Sequence, residues 1–190
     1  MMRRHWRPAA VAAVGITLLT SCGLNGQATT QSAELSDWFT VTSPAFRDGG
    51  EIPARFGCSG NGGRGKTPPL RWSGAPANTK AFAIVTDSAD APDGAAVLWL
   101  IANIDGTTTE LVEGARPDKA VEGRNTSGKI GYTPPCPKRG DRQRYRYRYT
   151  IYALSEKVQM PQGAALKDSL NDIAKLTIGR GRITGNFSGA

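Results

Sequence analysis

Arg144-Tyr-Arg-Tyr-Arg-Tyr-Thr-Ile-Tyr-Ala-Leu154 decides the fold class. Successive side chains of a strand point to opposite faces, so this alternation puts Tyr145, Tyr147 and Tyr149 on one face and three arginines on the other. The run then turns apolar through Ile151, Ala153 and Leu154, which suits a strand whose inner face is fully buried. Interleaved cations and aromatics also suit single-stranded nucleic acid, by stacking and phosphate contact. The strand reading with tyrosine inward is preferred here, with no nucleic-acid partner and with the arginines outward, near anionic lipid headgroups.

Working outward, Phe39-Thr-Val-Thr42 and Leu70-Arg-Trp72 read as short strands. Lys80–Thr86 and Val97–Ile104 read as buried strands, the second apolar on both faces and so central. Gly106–Lys129 is polar and reads as irregular. Leu166, Leu170, Ile173 and Leu176 recur at helical spacing, predicting one helix over Ala165–Leu176. Gly179 and Gly181 read as its stop, and Arg182–Phe187 as a last strand. The sum is a mainly β single domain with one late helix.

Composition agrees. The chain has 190 residues, 39% hydrophobic and 21% charged, which excludes a wholly disordered protein and a coiled coil. Glycine and proline make up about 18% of it, a loop-rich β composition rather than that of a helix bundle.

The first 21 residues read as an address. Arg3, Arg4 and Arg7 precede the apolar run Ala9–Leu19, too short to cross a bilayer. Leu19-Thr-Ser-Cys22 resembles the bacterial lipobox, which implies that Cys22 is lipidated and becomes the mature N-terminus. The expected organisation is a signal peptide over 1–21, a flexible tether over 22–36 and the folded domain over 37–190. The expected location is the extracytoplasmic face of a bacterial cell membrane, held by the lipid. Processing takes three of the 24 basic residues, so the formal charge falls from +8 to about +5. It also takes His5, the only histidine, which excludes histidine-based triads and histidine metal sites from the mature chain. Neither a cofactor nor a metal is expected.

Cys58 and Cys136 remain. An even pair in an exported domain suggests a disulfide, with two free thiols as the alternative. Gly60-Asn-Gly-Gly-Arg-Gly-Lys-Thr67 satisfies the spelling of a phosphate-binding loop, but Pro68 and Pro69 follow where a helix must begin. Nucleotide binding is not expected. Asn125-Thr-Ser127 and Asn186-Phe-Ser188 fit a glycosylation pattern that carries no weight beside a bacterial lipobox.

The order of several short motifs says more. Ser88-Ala-Asp-Ala-Pro92, Trp99 with Asn103, Gly131-Tyr-Thr-Pro-Pro-Cys-Pro-Lys-Arg-Gly140 and the Tyr-Arg-Tyr strand follow one another. Ser43-Pro-Ala-Phe46, Ile52–Cys58, Pro68–Trp72 and Ile183-Thr-Gly185 accompany them. This series resembles the phosphatidylethanolamine-binding protein (PEBP) family, in its bacterial Raf-kinase-inhibitor-protein-like branch, from about Phe39 to Phe187. The resemblance implies an antiparallel β-sandwich with a C-terminal helix, short peripheral helical turns and a small anion pocket. The pocket residues carried over are Ser88, Asp90, Pro92, Leu98, Tyr145 and Tyr147. Three depart from the family pattern. Ser88 stands where the family has Asp, and Leu98 and Tyr145 stand where it has His. Losing two imidazoles removes donors and any titration near neutral pH, leaving a hollow suited to an uncharged or zwitterionic group.

The expected function is therefore a membrane-anchored, non-enzymatic binding or inhibitory module with a depleted anion pocket. It would take a small molecule or a phospholipid headgroup. The alternative is a structural lipoprotein that engages a protein partner and whose pocket is vestigial.

Overall fold

A computed structural model describes residues 37–189. The signal peptide, the tether and Cys22 lie outside the described residues.

Two sheets and a helix form three layers. The strands are β1 (Asp37–Trp38), β2 (Thr40–Thr42), β3 (Leu70–Ser73), β4 (Ala81–Ser88), β5 (Ala96–Asp105), β6 (Glu110–Leu111), β7 (Val121–Glu122), β8 (Tyr145–Leu154) and β9 (Thr177–Phe187), with α1 (Leu166–Leu176) before the last. The large sheet runs β1-β9-β8-β4-β5-β7 and the small one β2-β3-β6. Short 3-10 turns occur at Ala54–Phe56 and Ser59–Asn61.

The alternation of β8 explains the layering. Tyr145, Tyr147, Tyr149 and Ile151 face the small sheet and join Phe39, Trp72, Phe82, Trp99 and Ile101 in the main core. The opposite face of the large sheet presents Ala83, Val85, Leu100 and Leu154 to α1. The helix meets them with its predicted face: Ile173 is buried, and Leu166, Leu170 and Leu176 pack around it. Burying one such side chain contributes about 1.5–3 kcal/mol, more than helix propensity contributes over a turn, so packing holds α1 in place.

Several sequence expectations are corrected or extended. The glycines after α1 do not stop it: Thr177 caps the helix and starts an 11-residue strand, so Gly179 and Gly181 lie inside β9. The strand needs glycine at 181 because a Cβ there would sit 2.5 Å from the Phe39 carbonyl oxygen and 2.6 Å from Val41 Cγ2. The expected strand at Phe39–Thr42 is β2, and the additional β1 precedes it in the large sheet, the chain passing to the small one at the buried Phe39. The sheets are antiparallel as expected, with one parallel pairing, β1 against β9. Finally, Gly106–Lys129 contains β6 and β7, each only two residues long and thus without a readable period. β5 is flanked by β4 and by this short β7, so β8 and β4 are the more central strands.

Cys58 and Cys136 are joined in a disulfide across 78 positions. Past Thr67, Pro68 and Pro69 lead into strand β3 and not a helix, as the prolines require. Among the described residues, no helix is long and apolar enough to cross a membrane.

Candidate functional site

The three inward tyrosines of β8 have different fates. The Tyr145 hydroxyl donates to Asp141 Oδ2 at 2.8 Å. The Tyr149 and Tyr132 hydroxyls share a hydrogen bond of 3.2 Å. Tyr147, between them and 1% exposed, makes no side-chain hydrogen bond to any described residue. Burial, together with Asp90 and Tyr145 nearby, pushes its phenol well above the usual range, so it stays a neutral donor.

A cavity of about 190 Å³ lies against Tyr147. Pro92 and the segment up to Leu98 make one wall, Thr126 and Thr133 another, and Cys136 a third. The disulfide ties this third wall to Cys58. Among the described residues, Asp93 is the only acidic or basic one in the lining.

Pro92, Leu98 and Tyr147 are thus brought together, but Ser88, Asp90 and Tyr145 lie outside the lining. Their polar atoms are engaged elsewhere. The Ser88 hydroxyl donates to Asp90 Oδ1 at 3.2 Å. Asp90 also accepts the Arg146 backbone N–H and Nε, both at 2.9 Å. Burial opposes the charge of Asp90, but the bonds from Arg146 and Ser88 outweigh it and hold the carboxyl below its ordinary value. Asp90 is therefore a staple from the Ser88–Pro92 turn to the start of β8.

Thr133 and Cys136 come from the Gly131–Gly140 loop of the resemblance without being expected as individual pocket residues, and Thr126 comes from no expected pocket segment. What places the two threonines is Asn125, 3% exposed. Its Nδ2 donates to Thr133 Oγ1 at 2.8 Å, and its Oδ1 accepts from the Ser127 and Lys129 N–H groups at 3.0 and 3.1 Å. The apparent glycosylation triplet is thus a buried strut under the cavity. Its signal was available: an Asx-type turn, Asn followed by Thr, Ser and Gly. Asn103 is also structural, clamping both backbone groups of Val158 at 3.0 and 2.9 Å.

The family model described as phosphatidylethanolamine-binding protein matches residues 42–188. The chain belongs to that family. It is 36% identical over 148 residues to a UPF0098 protein of Methanothermobacter thermautotrophicus, covering 75% of this chain and 94% of that one. A Mycobacterium tuberculosis protein named as a lipoprotein, LppC, is 32% identical over 201 residues, with 97% and 98% covered. Among solved structures, the PEBP homolog CT736 of Chlamydia trachomatis superposes with a TM-score of 0.71 at 30% identity, covering 80% of this chain and 99% of that one. Escherichia coli YbcL, described as a new member of the mammalian PEBP family, gives 0.72 at 29% identity, with 79% and 98% covered. Of the six residues for which the resemblance implies a pocket, Pro92, Leu98 and Tyr147 line this cavity.

Proposed function

We propose that this PEBP-family chain is a membrane-anchored, non-enzymatic binding module whose cavity takes a small uncharged or zwitterionic group rather than a free phosphate. The anchor is supported by the lipobox at Cys22 and by the relative named as a lipoprotein, which aligns over nearly the whole chain.

One observation carries the binding reading: the cavity pairs a buried, unpartnered Tyr147 donor with a lining that has no Lys, Arg or His. A desolvated phosphate needs compensating positive charge, and the one charged residue type present, Asp93, has the wrong sign. A hydroxyl, amide or carbonyl needs only a donor and an acceptor, which Tyr147 supplies.

The non-enzymatic reading is supported by the state of the lining hydroxyls. Thr126 Oγ1 accepts from the Val97 N–H at 2.8 Å, and Thr133 Oγ1 from Asn125. Neither hydroxyl is hydrogen-bonded to a carboxylate among the described residues.

The test is thermal denaturation of the protein with inorganic phosphate, acetate and phosphorylethanolamine. The expected result is no stabilisation by phosphate or acetate and a measurable one by phosphorylethanolamine, whose own ammonium supplies the positive charge the lining lacks, lost in Tyr147→Phe. Phosphate stabilisation should appear in the Leu98→His variant, which puts an imidazole into the cavity wall. Equal shifts with phosphate in the wild-type protein would overturn the reading, and no shift with any compound would favour a vestigial pocket and a protein partner.

A further inference from the structure

The helix covers only one end of the outer face of the large sheet. The other end carries the outward residues of β8 and β9, in register: Arg146 opposite Asn186, Arg148 opposite Thr184, Thr150 opposite Arg182 and Tyr152 opposite Arg180. Two of these arginines are neutralised, Arg146 by Asp90 and Arg148 by Asp87. The Arg182 Nε donates to the Thr150 hydroxyl at 2.9 Å. Arg180 Nε is buried and makes no hydrogen bond. Neither Arg180 nor Arg182 has a carboxylate partner among the described residues. Both converge instead on Trp38, the Arg180 guanidinium 4.5 Å and the Arg182 guanidinium 6.0 Å from its ring. Trp38 is nevertheless 59% exposed, one of three large apolar side chains among the described residues that stand out into solvent.

We infer that Trp38, Arg180 and Arg182 form a docking face for an anionic phospholipid surface. The chemistry is specific to an interface. Tryptophan prefers the headgroup region, where an apolar body and a polar N–H are both accommodated. A guanidinium beside the ring meets a lipid phosphate bidentately while its own face stays on the indole. Each basic group near an anionic leaflet contributes about 1 kcal/mol. Position strengthens the case: Trp38 stands only 16 residues after Cys22 in the sequence. This last point rests on the lipid-anchored reading above; the face itself does not. Anchor and face together would be two membrane signals, with the face fixing which side of the domain meets the lipid.

The test follows Trp38 emission in the lipidated full chain on vesicles of brominated phosphatidylcholine, with or without phosphatidylglycerol. Trp72 and Trp99 are 4% and 1% exposed and give a constant background, and subtracting the Trp38→Phe signal isolates Trp38. The expected result is quenching and a blue shift on phosphatidylglycerol vesicles, absent on phosphatidylcholine alone and reversed by salt. Arg180→Gln/Arg182→Gln should lower the docked-to-undocked ratio about thirtyfold, at roughly fivefold per charge. The salt series uses the wild-type chain, so a misfolded variant would not rescue the idea. No quenching on the anionic vesicles, or equal quenching on both, overturns it. So does Trp38 shielding that grows with protein concentration without vesicles, which would mark a contact between two copies. Failure to float with phosphatidylcholine would refute the anchor, and quenching of that same protein on phosphatidylglycerol at low salt would still support the face.

Discussion

Strand β8 separates two hollows of opposite character. On its inner face the cavity by Tyr147 has no basic lining residue. On its outer face an open groove is lined by Arg146, Arg148 and Arg182, with Asp90 as the only acid. Both arise from one run of alternating Tyr and Arg, because side chains one position apart are on opposite sides of a sheet. The difference teaches where this PEBP-family chain keeps its positive charge: outside, where water screens it, and not in the pocket, where an unpaired cation would be expensive. Ligand choice inside and electrostatics outside can then change independently.

The largest expected effect concerns the wall of the inner hollow. Replacing Cys58 and Cys136 by Ser should cost about 4 kcal/mol by chemical denaturation, the chain-entropy value for a loop of 78 residues. It should also loosen the Cys136 wall and abolish ligand-induced stabilisation, while Trp38 quenching on anionic vesicles persists. If both are lost, the two hollows are not independent. Next comes Gly181→Ala. Its Cβ would press on the Phe39 carbonyl and on Val41, so about 2–3 kcal/mol of destabilisation is expected, measured the same way.

Asp90→Asn is smaller and depends on pH. The carboxyl of Asp90 is held below its ordinary value of 3.8 in the folded chain, so its contribution is complete above that value and fades as pH falls through the folded one. The wild-type advantage should be about 1 kcal/mol at neutral pH, steady down to about pH 4, and narrow below that. A gap that widens in acid would contradict the staple. The smallest effect on stability is that of Tyr147→Phe, within about 0.5 kcal/mol because no hydrogen bond is broken, whereas Tyr149→Phe should cost about 1 kcal/mol by orphaning Tyr132. A Tyr147→Phe cost as large as that of Tyr149→Phe would mean its hydroxyl has a partner and is not free for ligand.

Long strands and the helix were legible because their periods repeat. β8 shows its alternation over several residues, and α1 shows four apolar positions on one face. β6 and β7 were not, since two residues hold no period. Gly179 and Gly181 misled because a glycine that ends a helix and one that admits a neighbouring chain look alike in sequence; only Phe39 against Gly181 distinguishes them. At the site, Pro92, Leu98 and Tyr147 lie around one cavity, since the motifs that hold them follow its wall. Ser88, Asp90 and Tyr145 were not lining residues, because motif membership cannot tell a group that faces the hollow from one that braces its rim. Asn125 was passed over because a buried strut and a surface triplet share one spelling.

The division across β8 is tested most directly by crystals soaked in phosphate and, separately, in phosphorylethanolamine. Phosphate should be found on the outer arginines and phosphorylethanolamine against the Tyr147 hydroxyl. Phosphate seated between Leu98 and Tyr147, with the outer groove empty, would contradict it.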